Sequence, residues 1–249
     1  MQEEFLAPTE FIESDSPDIQ SLAKKVSGEA ATPREKAVKL YYAVRDGIYY
    51  DPYRIEPRRD AFKATTILRQ GYGYCVTKAV LLASLLRSQG IPAKLHFADV
   101  RNHLTTERLR KMMKTDIFYY HGYNDVWLDG RWLKVTPTFN LSLCEKFKVK
   151  PLDWDGRSDA VLHPFDMAGR RHMEYINDHG SFADLPFDAI MEIFITRYGS
   201  SIQDFLRQTS KTGKFEEEAE KSELLHFMRE GNILTRASES VKKRGAKKK

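Results

Sequence analysis

Residues 71–93 read GYGYCVTKAVLLASLLRSQGIPA and predict a helix at the centre of a hydrophobic core. Between Cys75 and Gln89 the apolar residues cover more than half of the helix circumference, which is typical of a helix surrounded by other elements. A glycine-rich turn precedes this helix, and Gly90 followed by Pro92 predicts its end. The pattern therefore places Cys75 in the first turn of a buried helix.

A cysteine in the first turn of a helix is a candidate nucleophile. The unpaired backbone N–H groups and the positive end of the helix dipole favour the thiolate there, so a lowered thiol pKa is expected for Cys75. The same N–H groups can bind an oxyanion. The alternative is a small, unreactive core residue, as most free cysteines are. Cys144, the other cysteine, is predicted to lie in the core and to react more slowly than Cys75.

A second stretch, residues 121–138, reads HGYNDVWLDGRWLKVTPT and lies in a predicted β-hairpin. Two β-rich runs, residues 117–128 and 131–139, flank Asp129-Gly130, which is a preferred pair for a two-residue hairpin turn. With this turn Leu128 faces Arg131, and the register of the whole hairpin follows from that pair.

The predicted register gives His121 polar neighbours on its own face of the hairpin. His121 should face Thr138, with Thr136 and Asn140 as its diagonal neighbours. A hydroxyl or amide group in such a place can orient an imidazole ring. Thr136 and Asn140 are therefore both candidates for the group that orients His121, which is itself a candidate general base. The alternative for His121 is an edge histidine or a hydrogen-bonded core histidine.

Further elements are predicted on both sides of these two stretches. Helical spacing indicates helices at about residues 33–47, 62–69 and 184–198, and residues 93–100 have the pattern of a strand. No internal repeat or Ser/Gly-rich linker interrupts the chain. We therefore expect one domain over residues 1–236, with a core at about residues 33–140 and C-terminal decoration over residues 141–236.

Composition and charge restrict the class of protein. The 249 residues are 41% hydrophobic and 30% charged, which is typical of a globular protein. The longest strongly apolar run, residues 79–86, is too short to span a membrane, and the N-terminus lacks the features of a signal peptide. Two cysteines do not make a disulfide framework. These features predict a cytoplasmic protein that does not associate with membranes.

The net charge of +5 belongs to the C-terminus. Residues 237–249 hold six of the 40 basic and one of the 35 acidic residues, so the rest of the chain carries equal numbers of each. A basic run of this kind is typical of a disordered, solvated tail. Because the body is neutral, no specific nucleic-acid partner is expected.

The two quoted stretches resemble the core motif of the transglutaminase-like superfamily. In that family a nucleophilic cysteine begins a helix ending in a Leu-Arg-x-x-Gly-Ile-Pro-Ala signature, which is similar to residues 86–93 of this chain. The family's histidine strand and following hairpin are similar to residues 121–138. The resemblance covers about residues 33–140. It implies an α+β, papain-like fold in which a central helix carrying Cys75 packs on an antiparallel β-sheet carrying His121.

One residue departs from the family pattern. The family has a catalytic aspartate directly before the Pro-Thr pair, where this chain has Thr136. A threonine hydroxyl can fix the tautomer of an imidazole, but it cannot stabilise imidazolium as a carboxylate does. Asn140 could instead form a Cys-His-Asn arrangement, or Asp166 could supply a carboxylate from the C-terminal half.

The resemblance implies acyl transfer at an amide or ester carbonyl through a Cys75 thioester. The substrate would be a peptide or protein amide. The thioester would be resolved by water in a protease or amidase and by an amine in a transglutaminase, with no cofactor or metal required. The alternative is a binding or scaffold domain whose catalysis is weakened or lost, because Thr136 replaces the acid. His163, His172 and His179 fit no zinc-binding spacing and are expected in a polar loop.

Overall fold

The computed structural model describes residues 2–199 and 215–219, which form an α+β fold. The first part of the chain is mainly helical and is followed by most of the sheet. The elements in chain order are α1 (Pro17–Ser27), α2 (Pro33–Gly47), β1 (Tyr49–Tyr50), α3 (Ala64–Gln70), β2 (Tyr72–Gly73), α4 (Cys75–Ser88), β3 (Ala93–Asn102), α5 (Glu107–Met113), β4 (Ile117–Leu128), β5 (Arg131–Val135), α6 (Leu141–Phe147), β6 (Met173–Phe182) and α7 (Phe187–Tyr198). Short 3₁₀ turns lie at Glu3–Phe5 and Arg59–Phe62.

Strands β3 to β6 form an antiparallel sheet of order β5-β4-β3-β6, and α4 packs on one of its faces. Strands β1 and β2 make a separate two-residue parallel pair, in which Tyr49 lies opposite Tyr72. The residues predicted as a glycine-rich turn therefore include β2. The predicted fold class is confirmed, because the helix that begins at Cys75 packs on the sheet that carries His121.

Helix α4 lies at the centre of the core, as predicted from the apolar residues that cover more than half of its circumference. Every residue from Cys75 to Arg87 is buried. Lys78 is fully buried as well, and its ammonium donates to the carbonyl groups of Arg45 (2.9 Å) and Ile48 (2.6 Å) at the end of α2. These two bonds fix the first turn of α4 against α2.

Gly122 lets β4 approach α4 closely. A Cβ atom at this position would lie 2.8 Å from the Cα atom of Val76, a distance that real Cβ atoms do not show. Two residues along the strand, Asn124 donates from its side chain to the carbonyl of Ala79 at 3.0 Å. The β4 backbone therefore passes directly beneath the first turn of α4, next to Cys75.

The predicted hairpin register is confirmed, but β5 is shorter than predicted. Leu128 lies opposite Arg131 and the pairing continues to Asn124 opposite Val135, where β5 ends. At the next residue the N–H of Thr136 donates to the carbonyl of Ala160 instead, and Pro137 has no N–H to donate. The expected cross-strand pair of His121 with Thr138 therefore lies outside the ladder.

Strand β6 is absent from the sequence-based prediction, which placed His172 and His179 in a polar loop. That prediction is wrong for His179, which lies on β6 at the edge of the sheet. Most β6 residues are exposed or half-buried, so the strand lacks the alternation of apolar residues that identifies a half-buried strand.

The other predictions concern two helices, the C-terminal tail and a membrane span. The helix predicted at residues 33–47 is confirmed as α2, which begins with a capping box formed by Thr32 and Glu35. The helix predicted at residues 62–69 is α3, preceded by a 3₁₀ turn and ended by Gly71 at φ +72°. The predicted tail, residues 237–249, lies outside the described residues. In the described part of the chain, no helix has the length and apolar character needed to cross a membrane.

A helical turn at residues 215–219 contacts the body of the domain. Its Phe215 ring packs against Tyr50 and Tyr53, with ring centroids 5.5 and 5.4 Å apart. Glu218 accepts a hydrogen bond from the Tyr53 hydroxyl at 2.6 Å and pairs with Arg108 at 2.7 Å. This turn therefore covers the side of the domain that carries β1.

Candidate active site

Cys75 is the first residue of α4, and its side chain is buried. Burial raises the pKa of the thiol to about 11, whereas backbone N–H groups, those of Gly122 and Val76 foremost, act in the opposite direction. The sequence predicts a lowered pKa at a helix N-terminus, and that prediction is wrong here. The loss of water around the sulfur outweighs the favourable N–H groups, so the resting side chain is a neutral thiol.

His121 lies on β4 opposite Ala98 and is 4% exposed. Burial lowers the pKa of its imidazole to about 3, so the ring is neutral at physiological pH. Its Nε2 atom is buried without a hydrogen-bond partner. Most buried polar atoms in folded proteins are paired, so an unpaired ring nitrogen suggests a functional rather than a structural role.

Cys75 and His121 have two neighbours in common. Gly122, the residue after His121, lies against Val76 at the start of α4, and its backbone N–H acts to lower the pKa of the Cys75 thiol. The Tyr175 ring lies 6.3 Å from the His121 ring, between centroids, and the pKa of its phenol is raised to about 12, by burial first and, at a pH where Cys75 is ionised, also by the charge of its thiolate. No hydrogen bond joins the thiol to the imidazole. Catalytic hydrogen bonds are often long or absent before substrate binds, so this arrangement is compatible with a resting site.

Thr136 is 1% exposed and has a hydroxyl without a hydrogen-bond partner. It follows the last residue of β5 and lies near Tyr175, whose hydroxyl accepts from the Leu162 N–H at 3.3 Å. Thr138 is equally buried and has an unpaired hydroxyl as well. The Thr136 and Thr138 hydroxyls therefore make no hydrogen bond of normal geometry within the described chain, although the Thr136 side chain is close enough to Tyr175 to lower the pKa of its phenol.

The Asn140 amide is engaged away from His121. Its Oδ1 accepts from the Tyr50 N–H at 3.0 Å, and its Nδ2 donates to Ser142 (2.7 Å) and Glu216 (2.8 Å). No hydrogen bond joins Asn140 to His121 in this structure. Its contacts link β1, the start of α6 and the turn at residues 215–219.

The third candidate, Asp166, stabilises the loop in which it lies. Its carboxylate accepts hydrogen bonds from the N–H groups of Ala168 (3.0 Å) and Arg170 (2.8 Å) and forms an ion pair with the Arg170 side chain at 2.6 Å. Burial raises the pKa of this carboxyl, but the contacts with Arg170 outweigh burial and the net shift is downward. No hydrogen bond joins its side chain to His121, so the identity of the group that orients His121 stays a prediction, with Thr136, Asn140 and Asp166 as candidates.

Asp99, Tyr120 and His179 lie near His121 in the sheet, and the sequence analysis does not include them among the candidate site residues. The Asp99 carboxylate accepts from the His179 ring at 2.7 Å, and that ring stacks on Tyr120 with centroids 4.1 Å apart. Each residue comes from a different strand, and the β3–β4 register shifts between Ala98 and Val100. A β-bulge is not visible in the sequence pattern, so no local signal identifies this group.

A further polar cluster lies on the same sheet, along β3. The His96 ring contacts Asp125 at 3.0 Å through Nδ1 and Asp178 at 2.7 Å through Nε2. Ser181 donates to Asp125 at 2.5 Å. Burial lowers the pKa of His96, but the two carboxylates outweigh burial and the net shift is upward. Within residues 2–199 and 215–219, no three His, Cys, Asp or Glu side chains are grouped so that they could hold a metal ion.

Comparison with known proteins gives a family match and distant structural neighbours. Residues 20–137 match the model of the transglutaminase-like superfamily. No match was found among curated proteins. The solved "Putative Cysteine Protease from Cytophaga hutchinsonii" is 17% identical, with a TM-score of 0.46 over 74% of this chain and 47% of its own. A "putative protease from Parabacteroides distasonis ATCC 8503" is 18% identical, with a TM-score of 0.34 over 47% of this chain and 22% of its own.

The chain spans less than half the length of either of these two solved proteins. The family match does not depend on these two structures, and it covers both parts of the chain that form the candidate site. Residues 20–137 include α4 with Cys75 at its start and the β4–β5 hairpin with His121 and Thr136. Over this part, the chain therefore matches the transglutaminase-like superfamily, in agreement with the resemblance of its sequence motifs.

Proposed function

We propose that the domain is a cysteine-dependent acyl-transfer enzyme, with Cys75 as nucleophile and His121 as general base. The observation that carries the proposal is the close approach of β4 to the start of α4: Gly122, which follows His121, lies against Val76, which follows Cys75, so that a Cβ atom on Gly122 would be 2.8 Å from the Val76 Cα atom. The unpaired Nε2 of His121 supports the same role, because a proton acceptor must be free of other partners. The family match is consistent with this chemistry, and the names of both solved neighbours also mention a protease.

The resting protonation states determine the order of proton transfer. With the pKa of Cys75 at about 11 and that of His121 at about 3, the thiol and the imidazole are both neutral at pH 7. The thiol proton therefore moves to His121 as the sulfur attacks the carbonyl carbon, and the carbonyl electron pair moves onto oxygen. As the tetrahedral intermediate collapses, the C–N bond breaks and the leaving amine takes the proton from His121.

The thioester that remains on Cys75 can be resolved in two ways. Water gives a carboxylic acid and makes the protein a protease or amidase, whereas an amine gives a new amide and makes it a transglutaminase. In both cases His121 removes a proton from the attacking group. We propose a peptide or protein amide as substrate and hydrolysis as the main reaction.

The second candidate function is a binding or scaffold domain with weak or no catalysis. Thr136 favours it, because a hydroxyl cannot stabilise the imidazolium that forms when His121 accepts the thiol proton. The unusually low pKa of His121 points in the same direction, since that proton transfer is then more costly.

Turnover of p-nitrophenyl esters by wild type, Cys75→Ala and Cys144→Ala tests the proposal. Cys144 is the matched control, because it is also a free, buried cysteine. We expect Cys75→Ala to abolish turnover and Cys144→Ala to retain it, while His121→Ala should lose about 10²- to 10⁴-fold. Intact-mass measurement should detect an acyl group on Cys75. Absence of both the adduct and Cys75-dependent turnover in wild type would favour the scaffold function.

A further inference from the structure

An apolar cavity with a volume of about 60 Å³ lies beside Cys75. This is several times the roughly 10–15 Å³ that one water molecule occupies, so the cavity has room for a short apolar group. The walls come from the loop after β1, from α5, from the start of β4 and from α7. The side chains that contribute most of the apolar wall are Ile55, Leu109, Met112, Met113, Phe118 and Phe194.

Cys75 lies at the wall of this cavity. Cys75 is one of the lining residues, together with Tyr50, Tyr74 and Tyr198. Burial raises the pKa of each of these three phenols, so all three are neutral hydroxyl groups at physiological pH. A group bound in the cavity would therefore lie next to Cys75 among neutral side chains.

The cavity has one unsatisfied polar group near the nucleophile. Tyr74 immediately precedes Cys75 and is 7% exposed, and its hydroxyl has no hydrogen-bond partner. Buried polar groups in folded proteins are nearly always paired, so a ligand that brings an acceptor oxygen would complete this one. A carbonyl group held at Cys75 carries such an oxygen.

The lining does not suit a polar side chain. Among the described residues that line the cavity, none carries a charge or an amide group. A glutamine carboxamide placed inside would find only phenol hydroxyls as partners and would lose most of its hydrogen bonds to water, which is unfavourable. The neighbouring cavity, which His121 lines, differs because it also contains Asn102, Thr138 and His172. The apolar character is therefore specific to the side of the site that carries Cys75.

We propose that this cavity binds an apolar acyl group whose carbonyl carbon is attacked by Cys75, with the Tyr74 hydroxyl donating to an oxygen of the same ligand. The inference rests on the proposed acyl-transfer function and adds a substrate class to it. An apolar acyl group has two sources, a fatty acyl chain or a peptide with an aliphatic or aromatic residue at the scissile bond.

A series of p-nitrophenyl esters tests the proposal. For the acetyl, butyryl, hexanoyl and octanoyl esters, we expect kcat/KM to rise about threefold to fourfold per added methylene until the cavity is filled. The N-acetyl-phenylalanyl ester should react faster than the N-acetyl-glutaminyl ester. A preference for octanoyl over N-acetyl-phenylalanyl would identify a fatty acyl source, and the reverse a peptide.

A charge placed in the cavity should remove the selectivity. Met112→Lys is expected to flatten the dependence on chain length, whereas Met167→Lys should not, because Met167 is 74% exposed and outside the cavity. Tyr74→Phe should lower kcat/KM for all esters and keep the chain-length dependence. Equal kcat/KM for acetyl and octanoyl esters, with turnover that still depends on Cys75, would overturn the inference and leave the proposed function intact.

Binding to the Cys75→Ala variant tests the cavity without any chemistry. Octanamide should bind more tightly than acetamide in a calorimetric titration, by the same factor per methylene as in the ester series. If wild type forms no acyl adduct but octanamide still binds preferentially, the proposed function fails and the apolar site stands. If neither amide shows a preference, the apolar site is wrong.

Discussion

The Asp99 carboxylate accepts a hydrogen bond from the Tyr120 N–H at 3.1 Å, immediately before His121 in β4. Tyr120 has a φ of +54°, which is in the left-handed region that non-glycine residues rarely adopt. A conformation of this kind persists when the surrounding structure holds it in place. Asp99 therefore fixes a strained backbone whose next residue is the candidate general base.

Replacement of Asp99 should disturb catalysis through His121. Asp99→Ala removes the acceptor for the Tyr120 N–H and for the His179 ring, so we expect a loss in kcat with little change in KM. Asp99→Asn keeps one acceptor oxygen and should restore much of the rate. Ester hydrolysis by both variants, with thermal unfolding as a check on folding, provides the measurement. An equal loss in both variants would show that the negative charge, rather than the hydrogen bond, matters.

Gly122 should not tolerate a side chain. The added Cβ atom of Gly122→Ala would meet the Cα atom of Val76 at 2.8 Å, so α4 and β4 must separate. We expect the free energy of unfolding to fall by about 1–3 kcal/mol, as for other overpacked sites. Gly47→Ala is the matched control, because a Cβ atom there meets nothing within 4 Å and the residue ends helix α2. Denaturation in urea gives both values, and equal stability of the two variants would contradict the close approach.

The missing carboxylate can be restored at Thr136. A negative charge near an imidazole favours imidazolium, so Thr136→Asp should raise the pKa of His121 from about 3 by roughly 1–3 units. Titration of the His121 ring by NMR measures the shift. The thiolate fraction of Cys75 near neutral pH should rise with it, which would appear as faster alkylation.

Asn140→Ala separates the two orienting candidates. The variant loses the contacts of the amide with the Tyr50 N–H and with Glu216, so we expect a loss of stability of about 1–3 kcal/mol. The alkylation rate of Cys75 as a function of pH should change little. If the alkylation profile collapses instead, Asn140 orients His121 and Thr136→Asp should have little effect.

The contacts of His96 predict a stability that depends on pH. Its raised pKa stabilises the fold below the ordinary value of 6.5, and this contribution is lost as the pH rises through the raised pKa. The carboxyl groups of Asp125 and Asp178 have lowered pKa values, so their contribution is present above about 3.8 and is lost as the pH falls. The cluster should therefore stabilise the sheet most strongly between about pH 4 and pH 6.5.

The His96→Gln variant tests this window. The difference in unfolding free energy between wild type and His96→Gln should be larger at pH 5.5 than at pH 8.5, as measured by chemical denaturation. His103→Gln serves as the control, because His103 also contacts a carboxylate, Glu174 at 3.3 Å, but in a more exposed place. The same difference for His96→Gln at both pH values would show that the histidine charge contributes nothing.

The parts of the site that could be predicted from sequence are local ones. The start of α4 at Cys75 could be predicted from the glycine-rich turn before it and from the apolar residues on most sides of the helix. The register of the β4–β5 hairpin could be predicted from the Asp129-Gly130 turn. The pKa of Cys75 could not be predicted, because the side chains that exclude water from its sulfur come from distant parts of the chain. Strand β6 escaped prediction because its exposed residues carry no apolar alternation.

The order of strands in the sheet has a consequence for synthesis of the protein. Strand β3 needs β6 as its second neighbour, and the Asp99–His179 bond joins residues 80 positions apart, while the Tyr53–Glu218 bond spans 165. A ribosome supplies the chain from the N-terminus at about 5–20 residues per second. Helix α4 therefore emerges seconds before the elements that complete its surroundings. During this interval the nascent chain has an unpaired edge on β3, which makes it prone to aggregation, and a Cys75 thiol less shielded from oxidants than in the finished domain.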